Sequence, residues 1–122
     1  MRGFVKSICL LALLTLVACA RPVPPEKADY VGEWTGTAMT LLINQNGTVA
    51  YRRQKNGTST SINGPLKEFQ GDDFVVGIGL IATTFVVSVP PHLEGNVWKM
   101  TVDGVELTRM PGWHRLPGGS SA

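Results

Sequence analysis

The side chains of this chain that could carry chemistry begin with its two histidines, His92 and His114. His92 stands two residues before Glu94, just after Pro90-Pro91. An imidazole and a carboxylate at that spacing can bind a metal ion or transfer a proton. A zinc site, however, needs three or four ligands, and the sequence around His92 offers neither a second histidine nor a cysteine. We therefore predict an exposed loop histidine at position 92 and a surface segment around His114.

The adjacent acids Asp72 and Asp73 are the next candidates, either as a carboxylate dyad or as calcium ligands. Neighbouring residues of a strand point to opposite faces, so the two carboxyls do not easily share a proton. A calcium loop needs alternating oxygen ligands, which this stretch lacks, and a turn explains it better. The hydroxyls of Ser59-Thr60-Ser61 have no partner base nearby in the sequence. We expect no enzyme, no metal ion and no cofactor.

Cys19 follows a segment whose residues are typical of a targeting signal. Arg2 and Lys6 form a basic leader, and the apolar stretch over residues 7–17 is too short to span a bilayer comfortably. The stretch ends in Leu16-Val17-Ala18-Cys19, which resembles the lipobox of bacterial lipoproteins. The resemblance implies cleavage between Ala18 and Cys19, a diacylglycerol on the Cys19 sulfur and an acyl chain on its amine. Such chains hold a protein on a membrane, since each buried methylene contributes roughly 0.8 kcal/mol.

Two other fates of this segment are compatible with its residues. Ala18-Cys19-Ala20 also fits the small-x-small rule of ordinary signal peptidase, which would release a soluble chain that starts at Arg21. The segment could instead remain as a signal anchor. Under the lipoprotein interpretation, position 20 holds alanine rather than aspartate, which implies export to the periplasmic leaflet of the outer membrane.

The charge balance and the cysteine count narrow the function classes. The net charge of +2 comes from Arg2 and Lys6, so the chain from Cys19 onward is formally neutral. A nucleic-acid-binding protein needs a basic surface that displaces counterions, and we do not expect one here. Cys9 leaves with the leader and Cys19 is acylated, which leaves no thiol for catalysis or for a disulfide.

Only part of the chain is expected to fold into a domain that positions these residues. We predict a signal peptide over 1–18, the lipidated Cys19 with a flexible proline-rich tether over 19–29, one domain over 30–116 and a disordered tail over 117–122. Gly and Pro recur so often in the domain that long helices are not expected. The turns are expected at Asn46-Gly47 and Asn56-Gly57, which also match the glycosylation sequon, and at Asp103-Gly104.

Apolar and polar residues alternate along most of the domain, as is typical of strands with one buried face. The pattern predicts an all-β fold, a small antiparallel meander that closes into a barrel or a strongly bent sheet. The segment 81–89 is apolar on both faces, with Val86 opposite Phe85, Val87 and Val89, so we expect it to be buried on both sides or covered by a partner. The predicted strands lie near residues 33–43, 48–55, 58–63, 73–78, 82–89, 97–102 and 105–110.

The two ends of the predicted sheet carry a second resemblance. Val31-Gly32-Glu33-Trp34 opens the first strand, and Arg109 ends the last. These residues resemble lipocalins and their relatives, in which a Gly-x-Trp opens the first strand and an arginine of the last strand stacks over the indole. The resemblance covers about residues 32–109 and implies a minimal lipocalin-like barrel in which Trp34 and Arg109 are structural. The other interpretation is an ordinary core tryptophan and a surface arginine.

Two functions remain, and the interior of the domain separates them. The first is a membrane-anchored, non-catalytic protein-interaction or scaffold module of the cell envelope. The second is a lipocalin-like module for a small hydrophobic ligand or lipid, which needs an unfilled cavity. The sequence favours a filled interior and hence the first function, because it offers six side chains large enough to fill an eight-stranded barrel. They are Phe74, Val76, Phe85, Val87, Trp98 and Met100.

With a filled interior, function must lie on the outside. The candidate surfaces are then segment 81–89 and the basic hairpin tip Arg52-Arg53-Lys55. We expect the basic tip to be a charged edge that guards against strand pairing. Contact with anionic lipid headgroups or with peptidoglycan is the alternative for the tip.

Overall fold

A computed structural model describes residues 21–111 of the chain. It contains a short 3-10 helix, Pro25–Tyr30, followed by antiparallel strands in one curled sheet. The strands are β1 (Gly32–Gly36), β2 (Met39–Ile43), β3 (Thr48–Lys55), β4 (Thr58–Gln70), β5 (Asp73–Ile78), β6 (Ile81–Phe85), β7 (Val87–Glu94), β8 (Val97–Val102) and β9 (Val105–Arg109). Their order in the 9-stranded sheet is β6-β5-β4-β3-β2-β1-β9-β8-β7. The sheet forms a half-barrel, which confirms the predicted all-β, barrel-like class.

The turns expected from Asn-Gly and Asp-Gly pairs join consecutive strands. Asn56 and Gly57 have φ values of 53° and 78°, and Asp103 and Gly104 have 49° and 81°. Two successive left-handed residues form the tight turn that matches the twist of an antiparallel hairpin. The predicted turn positions 46–47, 56–57 and 103–104 are therefore confirmed.

The predicted first strand, 33–43, is wrong in one respect, because it is a hairpin of two strands. β1 and β2 are joined at Thr37-Ala38, where Ala38 has a φ of 58°. Neither residue is the glycine or asparagine that usually marks such a turn. The hairpin forms because it places Trp34 directly opposite Leu41, and both side chains are then buried on one face.

β4 extends to Gln70, although the sequence predicted its end near residue 63. Pro65 does not stop the strand because it lies where one partner replaces the other. It pairs with Thr48 at the start of β3, and the pairing with β5 begins only at Leu66. A proline is tolerated where the ladder is interrupted in this way. A bulge between Leu66 and Glu68 marks the change of partner, so β4 links the two halves of the sheet.

The predicted strand 82–89 is also two strands, separated at Val86, and β7 continues to Glu94. Phe85 and Val87 are buried, as expected for one face. The expected burial of both faces within the chain is wrong, since Val86 and Val89 are exposed. A register shift between Val87 and Val89 turns Val89 away from the face of Phe85.

The predicted tether does not stay apart from the domain over residues 21–29. Val23 is only 2% exposed, and its N–H donates to the carbonyl of Gln45 at 2.9 Å. The Gln45 side chain donates back to the Val23 carbonyl at 3.0 Å. The prolines here begin a 3-10 helix, which ends in the buried Tyr30. Residues 21–30 therefore close one end of the half-barrel.

The core lies on the concave side of the sheet. Phe74 and Phe85 stack at 5.0 Å between ring centroids, and the Tyr51 ring meets Phe85 edge-on at 4.9 Å. Such aromatic pairs stabilise a core beyond their buried area. The largest fully buried side chains are those of Trp34, Phe74, Phe85, Met39, Leu41, Ile43, Leu66, Met100, Leu107, Val76 and Val102.

Candidate interaction surface

Trp34 and Arg109 lie together at the end of the half-barrel that the 3-10 helix closes. They are directly opposite on the paired strands β1 and β9, and Trp34 is completely buried. The Arg109 guanidinium carbon lies 5.5 Å from the centre of the Trp34 ring and 4.8 Å from that of Trp98. Its Nη1 donates to the carbonyls of Val31 at 3.1 Å and Asp29 at 3.2 Å. The contacts of Trp34 and Arg109 are therefore with other parts of the fold, and the guanidinium lies near both indole rings.

Gly32 makes room for this arrangement. Its φ of 144° is a conformation that side-chain-bearing residues rarely adopt. A Cβ at this position would lie 2.6 Å from Cδ of Arg109. The indole N–H of Trp34 donates to the Tyr30 carbonyl at 3.0 Å, which fixes the ring against the preceding 3-10 helix. The Gly-x-Trp spacing thus seats the arginine stem and the indole side by side.

At Val86 the chain crosses from β6 to β7, the two edges of the sheet. Two aspartates hold this crossing, which we call the seam. Asp103 accepts the Val86 N–H at 2.9 Å on its carboxylate, and its own N–H donates to the Val86 carbonyl at 2.8 Å. Asp73 accepts the Val87 N–H at 2.8 Å. Since Asp73 begins β5 and Val87 begins β7, this bond ties one side of the sheet to the other.

The hydrogen bonds of the seam predict that substitution of Asp73 destabilises the domain more than substitution of Asp72. Asp73→Ala leaves the N–H of the buried Val87 without its acceptor, so we expect the free energy of unfolding to fall by about 1–3 kcal/mol. Thermal or urea unfolding of the purified domain measures the change.

Two matched variants accompany Asp73→Ala. Asp73→Asn keeps an acceptor oxygen and should recover much of the loss. Asp72→Ala removes only a partly exposed ion pair with Lys27 at 3.8 Å and should cost less than about 1 kcal/mol. Equal losses for Asp72→Ala and Asp73→Ala would contradict the role of the seam.

Most of the exposed large apolar side chains lie on the two edge strands or next to them. Val86 is 51% exposed at the seam, and Leu80 is fully exposed in the turn before β6. Trp98, predicted to fill the interior, is only partly buried, beside Arg109. Contiguous exposed apolar residues and unpaired strand edges are features that contact sites of other proteins have in common. We call the following group the edge surface: Leu80, Ile81, Val86, Val89 and Leu93.

His92 belongs to a charged cluster on β7, β8 and β9, and not to the free loop that the sequence predicted. Its Nε2 lies 2.9 Å from Glu94 Oε2, and Lys99 reaches Glu94 at 3.6 Å and Glu106 at 3.9 Å. The hydrogen bond with Glu94 raises the pKa of His92 above 6.5, and the same bond lowers the pKa of Glu94. Over residues 21–111, no group of three or more His, Cys, Asp or Glu side chains could hold a metal ion.

The basic hairpin tip is placed differently from its prediction. Arg52, Arg53 and Lys55 lie on β3, which pairs with both β2 and β4, so they do not guard a sheet edge. Arg52 and Lys55 are exposed, while Arg53 is partly buried. Among the exposed hydroxyl residues 59–61 on β4, Ser61 and Thr60 lie opposite Arg52 and Arg53.

Side chains fill the interior of the half-barrel. Five of the six residues predicted to fill it are buried there, and Trp98 is the exception. Two depressions beside the sheet are open to solvent. One of about 240 Å³ lies on the outer face of β2, β3 and β4, beside Thr40 and Arg52. Another of about 340 Å³ lies between the N-terminal segment and β4, beside Arg21 and Lys67.

Sequence reasoning missed the contacts of the 3-10 helix. Lys27 donates to the Gly71 carbonyl at 2.8 Å and lies over the rings of Tyr30 and Phe69. The Tyr30 hydroxyl donates to the Asp72 carbonyl at 2.8 Å. Burial, together with nearby Asp72 and Asp73, raises the pKa of Tyr30 to about 12. The sequence feature that could have indicated these contacts is Tyr30, directly after the predicted tether, because a large aromatic side chain usually packs against other residues.

The predicted lipobox, the cleavage position, Cys19, His114 and the tail 117–122 lie outside the described residues. Within the described range, no helix is long and apolar enough to cross a membrane. No protein-family model, curated protein or solved structure matches this chain.

Proposed function

We propose that this protein is a cell-envelope lipoprotein, acylated on Cys19 and held on the periplasmic leaflet of the outer membrane, that acts as a non-catalytic protein-interaction module. The anchor is supported by the basic leader, the apolar stretch and the sequence Leu16-Val17-Ala18-Cys19. The partner is another protein of the envelope, which binds the edge surface.

The observation that carries the interaction module is the contrast between the inside and the outside of the half-barrel. The inside is packed with buried apolar side chains, including Trp34, Phe74 and Phe85. A ligand-binding barrel needs a cavity among such residues, whereas the two depressions described above lie on the surface of the sheet. The edge strands instead present apolar side chains to solvent. This arrangement favours the interaction module over a lipocalin-like binder of a small hydrophobic ligand.

The two edges are unequally suited to bind a partner. β7 contains Pro90-Pro91 and two register shifts, which blunt an edge against strand pairing. β6 contains no proline and ends the sheet, so its outer edge pairs with no strand among residues 21–111. Leu80 and Ile81 stand exposed at its start and Val86 just after its end. An extended segment of the partner can add to β6 as a further strand while these side chains supply apolar contact.

Val86→Lys tests this surface. The side chain is half exposed, so the charge should leave folding nearly intact and disrupt an apolar contact with the partner. Lysine is preferred to aspartate because the carboxylate of Asp103 already lies against the Val86 N–H. Crosslinking in whole cells should lose the adducts that the wild-type protein forms, while the thermal melt of the purified domain stays nearly unchanged.

Thr40→Lys is the matched control. It places the same charge on an exposed strand residue of the outer face, away from both sheet edges. The control should keep the wild-type crosslinks. If Val86→Lys keeps them too, the edge surface is not the binding site, whereas a large fall in its melting temperature would show that Val86 is needed for the fold.

A further inference from the structure

The N-terminal segment of the described chain is fixed to the domain almost from its first residue. Val23 is buried and exchanges hydrogen bonds with Gln45. A Cβ at Gly47 would overlap the Arg21 carbonyl, so the segment lies directly against the turn between β2 and β3. Further along, Lys27 and Tyr30 bond to the turn between β4 and β5. Residues 21–30 are therefore part of the folded body.

This docking leaves almost no free chain between the body and the acylated residue. Cys19 precedes Arg21 by two residues, which span at most about 7 Å even when fully extended. The predicted tether would have lifted the domain off the membrane, but the docked segment removes that reach. An anchor of this length holds one end of the half-barrel against the lipid headgroups.

We infer that the protein binds the bilayer surface with the end of the half-barrel that residues 21–30 close, and that the opposite end points away from the membrane. This inference rests on the proposed acylation of Cys19. The turn between β2 and β3 and the start of the extended part of β4 lie at the membrane end, beside Arg21. The turn at 56–57 lies at the other end of β3 and β4 from Thr48 and Pro65.

Charge is not what holds this end at the membrane. Arg21 and Lys67 line the depression beside the N-terminal segment, but Glu26 and Glu68 line it as well. The two cations and two anions balance, so the attraction to anionic lipid is small. The orientation should therefore depend on the length of the link and be nearly independent of ionic strength.

Two lysines provide a matched pair of probes. Lys67 is exposed beside the depression at the membrane end, and Lys55 is exposed at the far end of β3. Lys55 lies seven residues from Thr48, which is about 23 Å along a strand. Because Cys19 is acylated and Cys9 is removed in the proposed mature protein, a cysteine at either position can be labelled alone.

The experiment uses Lys67→Cys and Lys55→Cys in the full-length protein, purified from membranes, labelled with a small fluorophore and reconstituted into phosphatidylethanolamine–phosphatidylglycerol vesicles. A lipid with a nitroxide on its headgroup serves as the quencher. We expect the label at position 67 to lose most of its emission and the label at position 55 to keep most of it, at low and at high salt. A flexible glycine–serine insertion between Ala20 and Arg21 should remove the difference.

The other outcomes separate the two proposals. If the protein stays on the vesicles but both labels are quenched alike, or position 55 more strongly, the orientation is wrong and the anchor stands. If the protein does not stay on the vesicles and mass spectrometry finds Cys19 unmodified, both the anchor and the orientation are wrong. Thermal melts of the two labelled variants establish that each is folded.

Discussion

Replacement of Cys19 by alanine is expected to abolish lipid attachment and to release the protein from the membrane fraction. The sulfur of Cys19 would receive the diacylglycerol, and alanine offers no nucleophile in its place. Since each buried methylene of an acyl chain contributes roughly 0.8 kcal/mol, the loss of all chains removes the acyl anchor. Release also requires that the leader is cut, and residues 18–20 of the variant still fit the small-x-small rule of ordinary signal peptidase. Metabolic labelling with a fatty-acid probe, followed by membrane fractionation, measures both effects.

Cys9→Ala is the matched control for this variant, because the chain contains two cysteines and the other lies in the apolar stretch before the predicted cleavage position. It should be labelled and fractionate like the wild-type protein. A Cys19→Ala protein that is still labelled by the fatty-acid probe would contradict the lipoprotein interpretation. A wild-type protein that is cut after Ala20 and secreted would favour the ordinary signal peptide instead.

The second large effect is expected from Trp34→Ala. The side chain is completely buried and its N–H is bonded to the Tyr30 carbonyl, so truncation leaves a cavity and an unpaired carbonyl. Loss of a buried tryptophan costs about 3–5 kcal/mol, a large part of the stability of a small domain. We expect the melting temperature to fall by more than about 12 °C. Calorimetry or circular dichroism of the domain measures the shift.

Variants of the neighbouring residues show which part of the arrangement matters. Trp98→Ala removes an indole that is only partly buried and should cost clearly less than Trp34→Ala. Arg109→Lys keeps the charge but loses the planar guanidinium that lies over both rings and bonds to Val31 and Asp29. It should destabilise the wild-type domain more than it destabilises Trp34→Ala, because the partner ring is already gone. Additive losses would mean that Arg109 and Trp34 act independently.

These predictions concern different parts of the molecule and can fail independently. The anchor depends on Cys19 and its flanking sequence, and the closed end of the half-barrel depends on Trp34. A Trp34→Ala protein whose domain is unfolded can still be acylated normally on Cys19. Conversely, Cys19→Ala should leave the melting temperature of the domain unchanged, because Cys19 precedes the docked segment.

Local sequence determined a large part of the fold. The alternation of apolar and polar residues predicted strands, since a strand presents successive side chains to opposite faces. Asn56-Gly57 and Asp103-Gly104 predicted tight turns, since these residues adopt left-handed conformations readily. Gly32 and Trp34 at the start of the first strand and Arg109 at the end of the last suggested the closed end, because a glycine permits close approach and an arginine can stack over an indole. Each of these inferences needs only a few neighbouring residues or one type of side chain.

Tertiary structure alone decided the features that depend on distant partners. The turn at Thr37-Ala38 forms because Trp34 and Leu41 are buried on the same face. Neither turn residue is of a type that usually indicates a turn. Val86 and Val89 are exposed because the sheet reaches both of its edges there and a register shift rotates the strand. Asp73 holds the seam only because the curl of the sheet brings the start of β7 to it. The proline-rich start of the domain is docked because the half-barrel offers a place for Val23 and Tyr30. A hydrophobic pattern specifies which residues prefer burial, but the residues that cover them are set only when the whole sheet has curled.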